Sequence, residues 1–577
     1  MFQLKEDDKR NDVLKATGNL LIMGGPGSGK TTIALFKAKE IIEKGGLKSG
    51  QKILFLSFAR ATISRVEEHA GNLIPPEIKS SIEINTYHGF IWNILQRHGY
   101  LLIDKPLKLL PPHEASTKMA GVKKEEISEK AHVLFEESGI VHFDIFASLC
   151  KRLLEKSNSL RKIICDIYPV IILDEFQDTN PDEWELIRLL GLRSTLIALA
   201  DPEQRIYDFR GADPKRISSF IAEFAPETFD FGTENNRSNG TDIVEFGNDL
   251  LAQRNRGKDY NDVMVRTYSS HIPELKHVAL KSWVLRAMKW LNKQMPDNAW
   301  SLAVLVPSNP IMMEVSDVFQ REQNFSPEKT LPKISHDVAI DASGPSLAAL
   351  FIATLLEKGS QKICSVTDIL RPLVSHILGR KSNSPPSKAD AELCLALEKY
   401  ISDGKINGKN RKALVSECET VATAANALQF TGNIITDWKM IVEIVSNCLS
   451  PHIQRLVSDV RFLRLLQKGT QLYSSLGVLW RDNHTYYGAV EAVSLALTQE
   501  HFSMSTKKWD GVNVMTIHKS KGKEFDVVIV YEGRYQGRIV SKPERADQAR
   551  LNLRVAVTRA KKCTLILTPE EDPCPLL

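Results

Sequence analysis

A chain of 577 residues with 43% hydrophobic and 25% charged side chains has the composition of a globular protein, with core enough for roughly three to five domains. No apolar run approaches the ~18 residues of a membrane span, and the charged start from Met1 to Arg10 is too polar for a secretory signal. The eight scattered cysteines form no C-x-x-C pair, which argues against a disulfide scaffold or a structural zinc site and leads us to expect free thiols in a reducing, cytoplasmic compartment. The formal charge of +5 permits a local basic groove without demanding one. Cys574-Pro575-Leu576-Leu577 fits a prenylation box only loosely, and the acidic Glu570, Glu571 and Asp572 precede it where a basic cluster is usual. That match is read as chance.

In chain order, Asn19 to Met23 reads as a short buried strand, and Ala34, Ala38, Ile41 and Ile42 recur at helical spacing. Between them, Gly24-Gly25-Pro26-Gly27-Ser28-Gly29-Lys30-Thr31 fits G-x-x-x-x-G-K-[ST] at every position. Glycines let backbone N–H groups turn toward phosphate oxygens, and the helix N-terminus behind them favours negative charge. Lys30 is then expected to reach the β/γ-phosphates and the Thr31 hydroxyl to hold Mg²⁺. The chain should bind a nucleoside triphosphate.

A second strand runs from Ile53 to Phe58, followed after about 95 by a polar, helix-prone segment containing Pro111-Pro112 and Lys123-Lys124-Glu125-Glu126. The apolar run Val170 to Leu173 then ends in Asp174-Glu175-Phe176-Gln177-Asp178. Such a run reads as a central parallel strand that delivers acids to its carboxyl end, where open α/β sheets bind ligands. Asp174 is placed to hold Mg²⁺ through its hydration shell, and Glu175 to orient and deprotonate an attacking water. Gln177 and Asp178 lie just beyond, able to sense the phosphate state. Further strands are expected at 195–200, 301–306, 512–516, 527–530 and 564–567. Between about 340 and 504, Leu347 to Leu356, Ala389 to Ile401, Lys412 to Leu428 and Ile453 to Leu466 show helical periodicity, interrupted by loops at Ser384-Pro385-Pro386-Ser387 and Gly404 to Gly408.

These segments resemble, in order, the motifs of superfamily 1 helicases of the UvrD/Rep type. Thr195 to Ala212 looks like motif III, with Gln204 matching the γ-phosphate sensor and Tyr207 and Phe209 matching aromatics that contact bases. Glu234 to Ser238 is similar to motif IV, with Arg237 in the place of a γ-phosphate arginine. Thr516 to Phe525 looks like motif V, and Val555 to Lys561 like motif VI, with Arg559 as its arginine finger. The resemblance implies that ATP is held by the phosphate loop through Thr31 and Thr32, and also by Arg237, Gly522 and Glu524. It further implies nucleic-acid contacts at Phe58, Arg60, Thr86, Tyr87, His88, Tyr207, Phe209 and His518. Phe58 is equally natural as core packing. His88 and His518 could be structural histidines.

The implied fold is α/β: two tandem RecA-like P-loop domains with parallel sheets, each interrupted by a mainly helical insertion. The first domain would occupy 1–95 and 150–225, with a short insertion at 96–149. The second would occupy 226–340 and 505–577, with its insertion at 341–504. Lys30 upstream and Arg237 and Arg559 far downstream suit a site between two lobes, closed by nucleotide and reopened after hydrolysis. Three positions depart from the family pattern: Lys9 stands where a glutamine reads adenine, Asn236 where a tyrosine stacks on the base, and Arg554 where an aromatic is usual. Competent hydrolysis with relaxed base choice is therefore expected. The expected activity is a 3′–5′ ATP-dependent DNA helicase or translocase acting on single strands or on duplex with a single-stranded tail. The alternative is a nucleotide- and DNA-gated ATPase that controls a nuclease subunit, as compact UvrD-like proteins do beside OLD-family nucleases in Gabija-type phage defence. RNA is a third possible polymer, because stacking platforms tolerate either sugar.

Overall fold

The computed structural model describes residues 8–25, 27–58, 66, 75–201, 213, 215–232, 238, 240–269, 277–296, 299–326, 329–339, 343–380, 386–460, 471–502, 509–534 and 537–577. Pro26, Arg60, Gln204, Tyr207, Phe209 and Arg237, all expected site residues, lie outside them. The chain divides into two compact units. One comprises Met1–Leu102, Phe146–Ala339 and Met504–Leu577; the other comprises Ile103–Ile145 and Ile340–Ser503.

The first unit contains two six-stranded parallel sheets. In one, β1 (Leu20–Met23), β2 (Ile53–Ser57), β3 (Ile82–Thr86), β6 (Val170–Leu173), β7 (Thr195–Ala200) and β8 (Glu227–Asp230) lie in the order β3-β2-β6-β7-β1-β8. In the other, β9 (Val263–Tyr268), β10 (Ser301–Val306), β13 (His336–Ala339), β14 (Gly511–Thr516), β15 (Phe525–Tyr531) and β16 (Ala560–Pro569) lie in the order β13-β14-β10-β15-β16-β9. A short antiparallel pair, β11 (Gln323–Ser326) and β12 (Lys329–Leu331), is attached nearby in sequence. This is the two-sheet α/β architecture expected of tandem RecA-like domains.

Why these strands and not others follows from burial. Parallel strands covered by helices on both faces need near-continuous apolar side chains. Leu54, Phe55, Ile172, Leu173, Ala198, Leu199, Val304, Leu305, Val528 and Ile529 are all fully or almost fully buried. Within these two sheets, the four strands absent from the sequence expectation, β3, β8, β9 and β13, occupy the four edges. Glu227–Asp230 and Val263–Tyr268 expose most of their residues at least in part. An edge strand keeps one side in water and so lacks the apolar run that marks a central one.

The second unit is helical. Ser343–Ser360 runs through it, with Ala348, Ile352, Ala353 and Leu356 at 0% exposure and Leu355 at 1%, as befits a helix apolar on nearly all sides. Helices Val366–Gly379, Lys409–Ala427, Ile434–Ser446, Pro451–Val460 and Ala489–Phe502 pack around it. The short segment after residue 102 joins this core rather than forming its own. There β4 (Lys108–Leu109) pairs with β5 (Ile140–Val141), and helix Pro112–Lys118 docks on the larger bundle. Ser116 Oγ donates to Ser343 Oγ at 3.0 Å and Thr117 Oγ1 to the Ser375 carbonyl at 3.2 Å. Gly379 makes this approach possible, since a Cβ there would sit 2.9 Å from Thr117 Oγ1 and 3.1 Å from Thr117 N. All eight cysteines are free, seven of them buried. Among the described residues no helix is long and apolar enough to cross a membrane.

Candidate nucleotide and nucleic-acid site

The phosphate loop leaves β1, which has β7 and β8 as its neighbours, and enters helix Lys30–Glu43. Gly24 N donates to the Ala200 carbonyl and Gly25 N to the Gly232 carbonyl, anchoring the loop to the ends of the strands beside it. Gly27 and Gly29 have φ of 77° and 89°, left-handed values that side chains resist. At Gly24 an added Cβ would stand 2.7 Å from Ser28 Oγ. Lys30 Nζ donates to the carbonyls of Gly24 at 2.5 Å and Gly25 at 3.0 Å, so the ammonium lies folded within the loop. Thr31 and Thr32 follow on the first helical turn, half-buried.

The carboxylates sit at the carboxyl end of β6, as a central parallel strand requires. Asp174 is buried and accepts a hydrogen bond from Ser57 Oγ at 2.9 Å, a contact supplied by the end of β2. Glu175 adopts φ 52°, ψ 39°, a left-handed backbone unfavourable for a side chain with a Cβ. Gln177 Nε2 donates to Glu175 Oε2 at 2.6 Å, while Gln177 Oε1 accepts from Asp201 N at 3.0 Å. Gln177 thus ties the acid to the end of β7.

The second sheet supplies the cations. Lys521, 2% exposed at its side chain, donates to Asp178 Oδ2 and lies 3.6 Å from Glu175 Oε2. Arg559 is buried and held by the Val555 carbonyl, which accepts from its Nε at 3.0 Å. Burial and the adjacent Glu175 charge push the Asp174 carboxyl well above the usual range, against the Ser57 hydrogen bond and Lys30. Burial works in the same direction on Glu175, but Lys521, Lys30, the Gln177 hydrogen bond and Arg559 outweigh it and hold that carboxyl low. Adjacent acids with opposite shifts are a common arrangement at reaction centres. Gly522, with φ 76°, and the half-buried Glu524 continue the turn after Lys521, and Glu524 lies 3.9 Å from Lys561.

Lys30, Asp174, Glu175 and Arg559 are therefore brought together. Ser57 and Lys521 belong to the same cluster and were not singled out in the sequence. Ser57 is an ordinary strand-end serine that only the pairing of β2 with β6 makes relevant. Lys521 lies inside the Thr516 to Phe525 stretch, but a lone lysine gives no sign of being buried.

Among the expected polymer contacts, Phe58 and Tyr87 stack, with ring centroids 4.2 Å apart and planes 16° from parallel. Tyr87 is 3% exposed, so its ring packs beneath the half-buried Phe58. Thr86 is engaged locally, capping helix Tyr87–His98 through Gly89 N. His88, half-buried, meets Phe146 edge-on. His518 sits on the short helix Ile517–Ser520 after β14, and burial lowers its pKa.

The three unusual positions divide. Lys9 Nζ donates to the Asp230 carbonyl at 3.1 Å, beside the residues that anchor the loop. Arg10 follows it, donating to the Ser28 carbonyl at 3.2 Å and lying over the Phe231 ring. Arg554 is buried and donates to Asn248 Oδ1 at 3.2 Å, packing inward against Gly247. Asn236 lies outside the described residues.

With this geometry in place, comparison with known proteins is informative. The UvrD/REP helicase N-terminal domain matches residues 5–133 and 105–225, and the UvrD-like helicase C-terminal domain matches residues 452–571. YjcD of Bacillus subtilis, provisionally named an ATP-dependent DNA helicase, is 22% identical over 97% of this chain and 78% of its own length. A probable DNA helicase II homolog of Mycoplasma pneumoniae is 21% identical over 97% of this chain and 83% of its own length. The ATP-dependent DNA helicase Rep of Escherichia coli is 24% identical over a shorter stretch, 41% of each chain. Two six-stranded parallel sheets, a phosphate loop on one facing cations from the other, and matches at both ends of the fold make this chain a member of the UvrD/Rep helicase family.

Proposed function

We propose that the chain is an ATP-dependent DNA helicase or translocase that steps 3′ to 5′ along single-stranded DNA. The observation that carries this reading is the grouping of Lys30, Asp174 and Glu175 from one sheet with Lys521 and Arg559 from the other. A phosphoryl group in transfer spreads negative charge over its oxygens, and preplaced cations stabilise it. Because the cations come from two sheets, completing the site requires both to be in place, so hydrolysis can be coupled to their separation. Asp174, whose buried carboxyl is disfavoured as a bare anion, fits a divalent cation shared with Thr31, and Mg²⁺ bound there would draw charge from the phosphates. Glu175, kept ionised by its neighbours, accepts the proton of the attacking water. Gln204 and Arg237 are assigned to the γ-phosphate, and Thr32, Gly522 and Glu524 to the nucleotide.

Single-stranded DNA would run over Phe58, stacked on Tyr87, with Arg60, Thr86, His88, Tyr207, Phe209 and His518 along the path. The names of the relatives support DNA as the polymer. ATPase rates of the purified protein without polymer, and with single-stranded DNA, duplex and RNA in turn, test the proposal. Single-stranded DNA should give the largest stimulation, and Lys30→Ala should abolish it; stimulated hydrolysis surviving in Lys30→Ala would refute the site assignment. Phe58→Ala should remove one stacking platform, worth about 1–3 kcal/mol. The DNA concentration giving half-maximal stimulation should then rise by roughly 5- to 150-fold with the basal rate unchanged. An unaltered half-maximal concentration would make Phe58 a packing residue only.

A second reading, a DNA-gated ATPase subunit controlling a nuclease, is favoured by Lys9 and by the inward-packed Arg554, which change the surroundings of the base. Strand-displacement assays separate the two. Robust unwinding by the protein alone supports the helicase; DNA-stimulated ATPase without unwinding supports the regulatory subunit.

A further inference from the structure

Three helix ends of the helical unit enclose a cavity of about 360 Å³ lined by His376, Arg380, Ser387, Asp390, His452 and Arg455, with Ile377, Leu378 and Pro386 as its apolar share. Helix Val366–Gly379 contributes His376 from its last turn, and Arg380 follows it. Helix Lys388–Asp403 begins here with Ser387 as N-cap, and helix Pro451–Val460 presents His452 and Arg455 from its opening turns. Two helix N-termini thus face the cavity, each carrying partial positive charge.

The polar groups are not equally engaged. Asp459 lies buried in the wall and accepts from His376 Nε2 at 2.9 Å and from Arg380 Nε and Nη2 at 2.7 and 3.2 Å. That network fixes the His376 and Arg380 side chains in orientation. Asp390 accepts from Ser387 Oγ at 2.8 Å and sits 3.8 Å from His452. Arg455, by contrast, makes no hydrogen bond or ion pair with any described residue, although it lines the same space. Burial and then the Arg455 charge hold the His452 pKa low, and the neighbouring Asp390 carboxylate offsets them only in part.

We propose that this cavity binds a small phosphorylated molecule, its phosphate taken by Arg455, His452 and the two helix ends, and its organic part lying against Ile377, Leu378 and Pro386. The volume lies at the lower end of the range for small-molecule sites, large enough for a nucleoside monophosphate. A planar guanidinium suits bidentate phosphate binding. Such a ligand would bridge helices Lys388–Asp403 and Pro451–Val460, giving the helical unit a binding site separate from the phosphate loop.

The test is isothermal titration of the full chain carrying Lys30→Ala, which weakens the phosphate-loop site, with inorganic phosphate and with adenosine monophosphate. Saturable binding is expected for at least one probe. Adding Arg455→Ala should weaken it at least tenfold while the melting temperature stays unchanged, because Arg455 is exposed and has no partner to lose. His452→Gln, which keeps one hydrogen-bond donor, should weaken it less. Absence of saturable binding for both probes would overturn the proposal, as would equal affinity before and after Arg455→Ala.

Discussion

Glu175→Gln is expected to slow ATP hydrolysis about 10³-fold, within the usual range for losing a general base, while nucleotide binding stays within a few-fold. The amide matches the carboxylate in shape but cannot accept the proton of the attacking water. Its fit is preserved because Gln177 Nε2, which now donates to Glu175 Oε2, can donate equally to an amide oxygen. Lys521, at 3.6 Å, loses one of its two carboxylate neighbours and keeps Asp178. Single-turnover hydrolysis together with binding of a non-hydrolysable ATP analogue measures both quantities. Hydrolysis within tenfold of the unaltered protein would show that Glu175 is not the base, and loss of binding would show that the substitution had disturbed the loop.

The second large effect is at Lys521. Lys521→Met removes the buried cation between Asp178 and Glu175, and breaking a buried pair from one side costs about 3–5 kcal/mol. A lowered melting temperature is therefore expected, with hydrolysis reduced about 100-fold, because Glu175 loses the largest of the influences that keep it ionised. Stability and catalysis can be separated. In Lys521→Met/Asp178→Leu the pair is replaced by apolar side chains, which is often neutral for folding, so melting should recover. Hydrolysis should not recover, since Glu175 still lacks its cation. Recovery of both in the double variant would make Lys521 a structural residue alone. No change in melting for the single variant would contradict the buried pair.

Much of the site was legible before any coordinates. Gly24 to Thr31 announces its conformation because only glycines accept the backbone angles found at Gly27 and Gly29. Asp174 and Glu175 end an apolar run that can be satisfied only inside a sheet, which places them at its carboxyl edge. The pairing of Lys521 with Asp178 could not be anticipated, since the two are 343 positions apart and no local pattern links one stretch to the other. Tyr87 carries the same lesson from the other side: the family resemblance implied a nucleic-acid contact, yet the fold buries its ring under Phe58.

The amino-acid order alone determined the central strands, the phosphate loop, the acid-bearing strand end and the helical character of the region after 340, because each depends on local periodicity or on residues with unusual backbone freedom. The tertiary structure decided the rest. Sheet edges β3, β8, β9 and β13 carry mixed polarity and become strands only by pairing with a neighbour already in place. The segment after residue 102 shares one core with the helices beyond 340, since neither local pattern specifies which apolar face it will meet. Burial of Lys521 and Arg559 beside Glu175 is likewise a property of two sheets brought together, because desolvation and Coulomb attraction act across space and not along the chain.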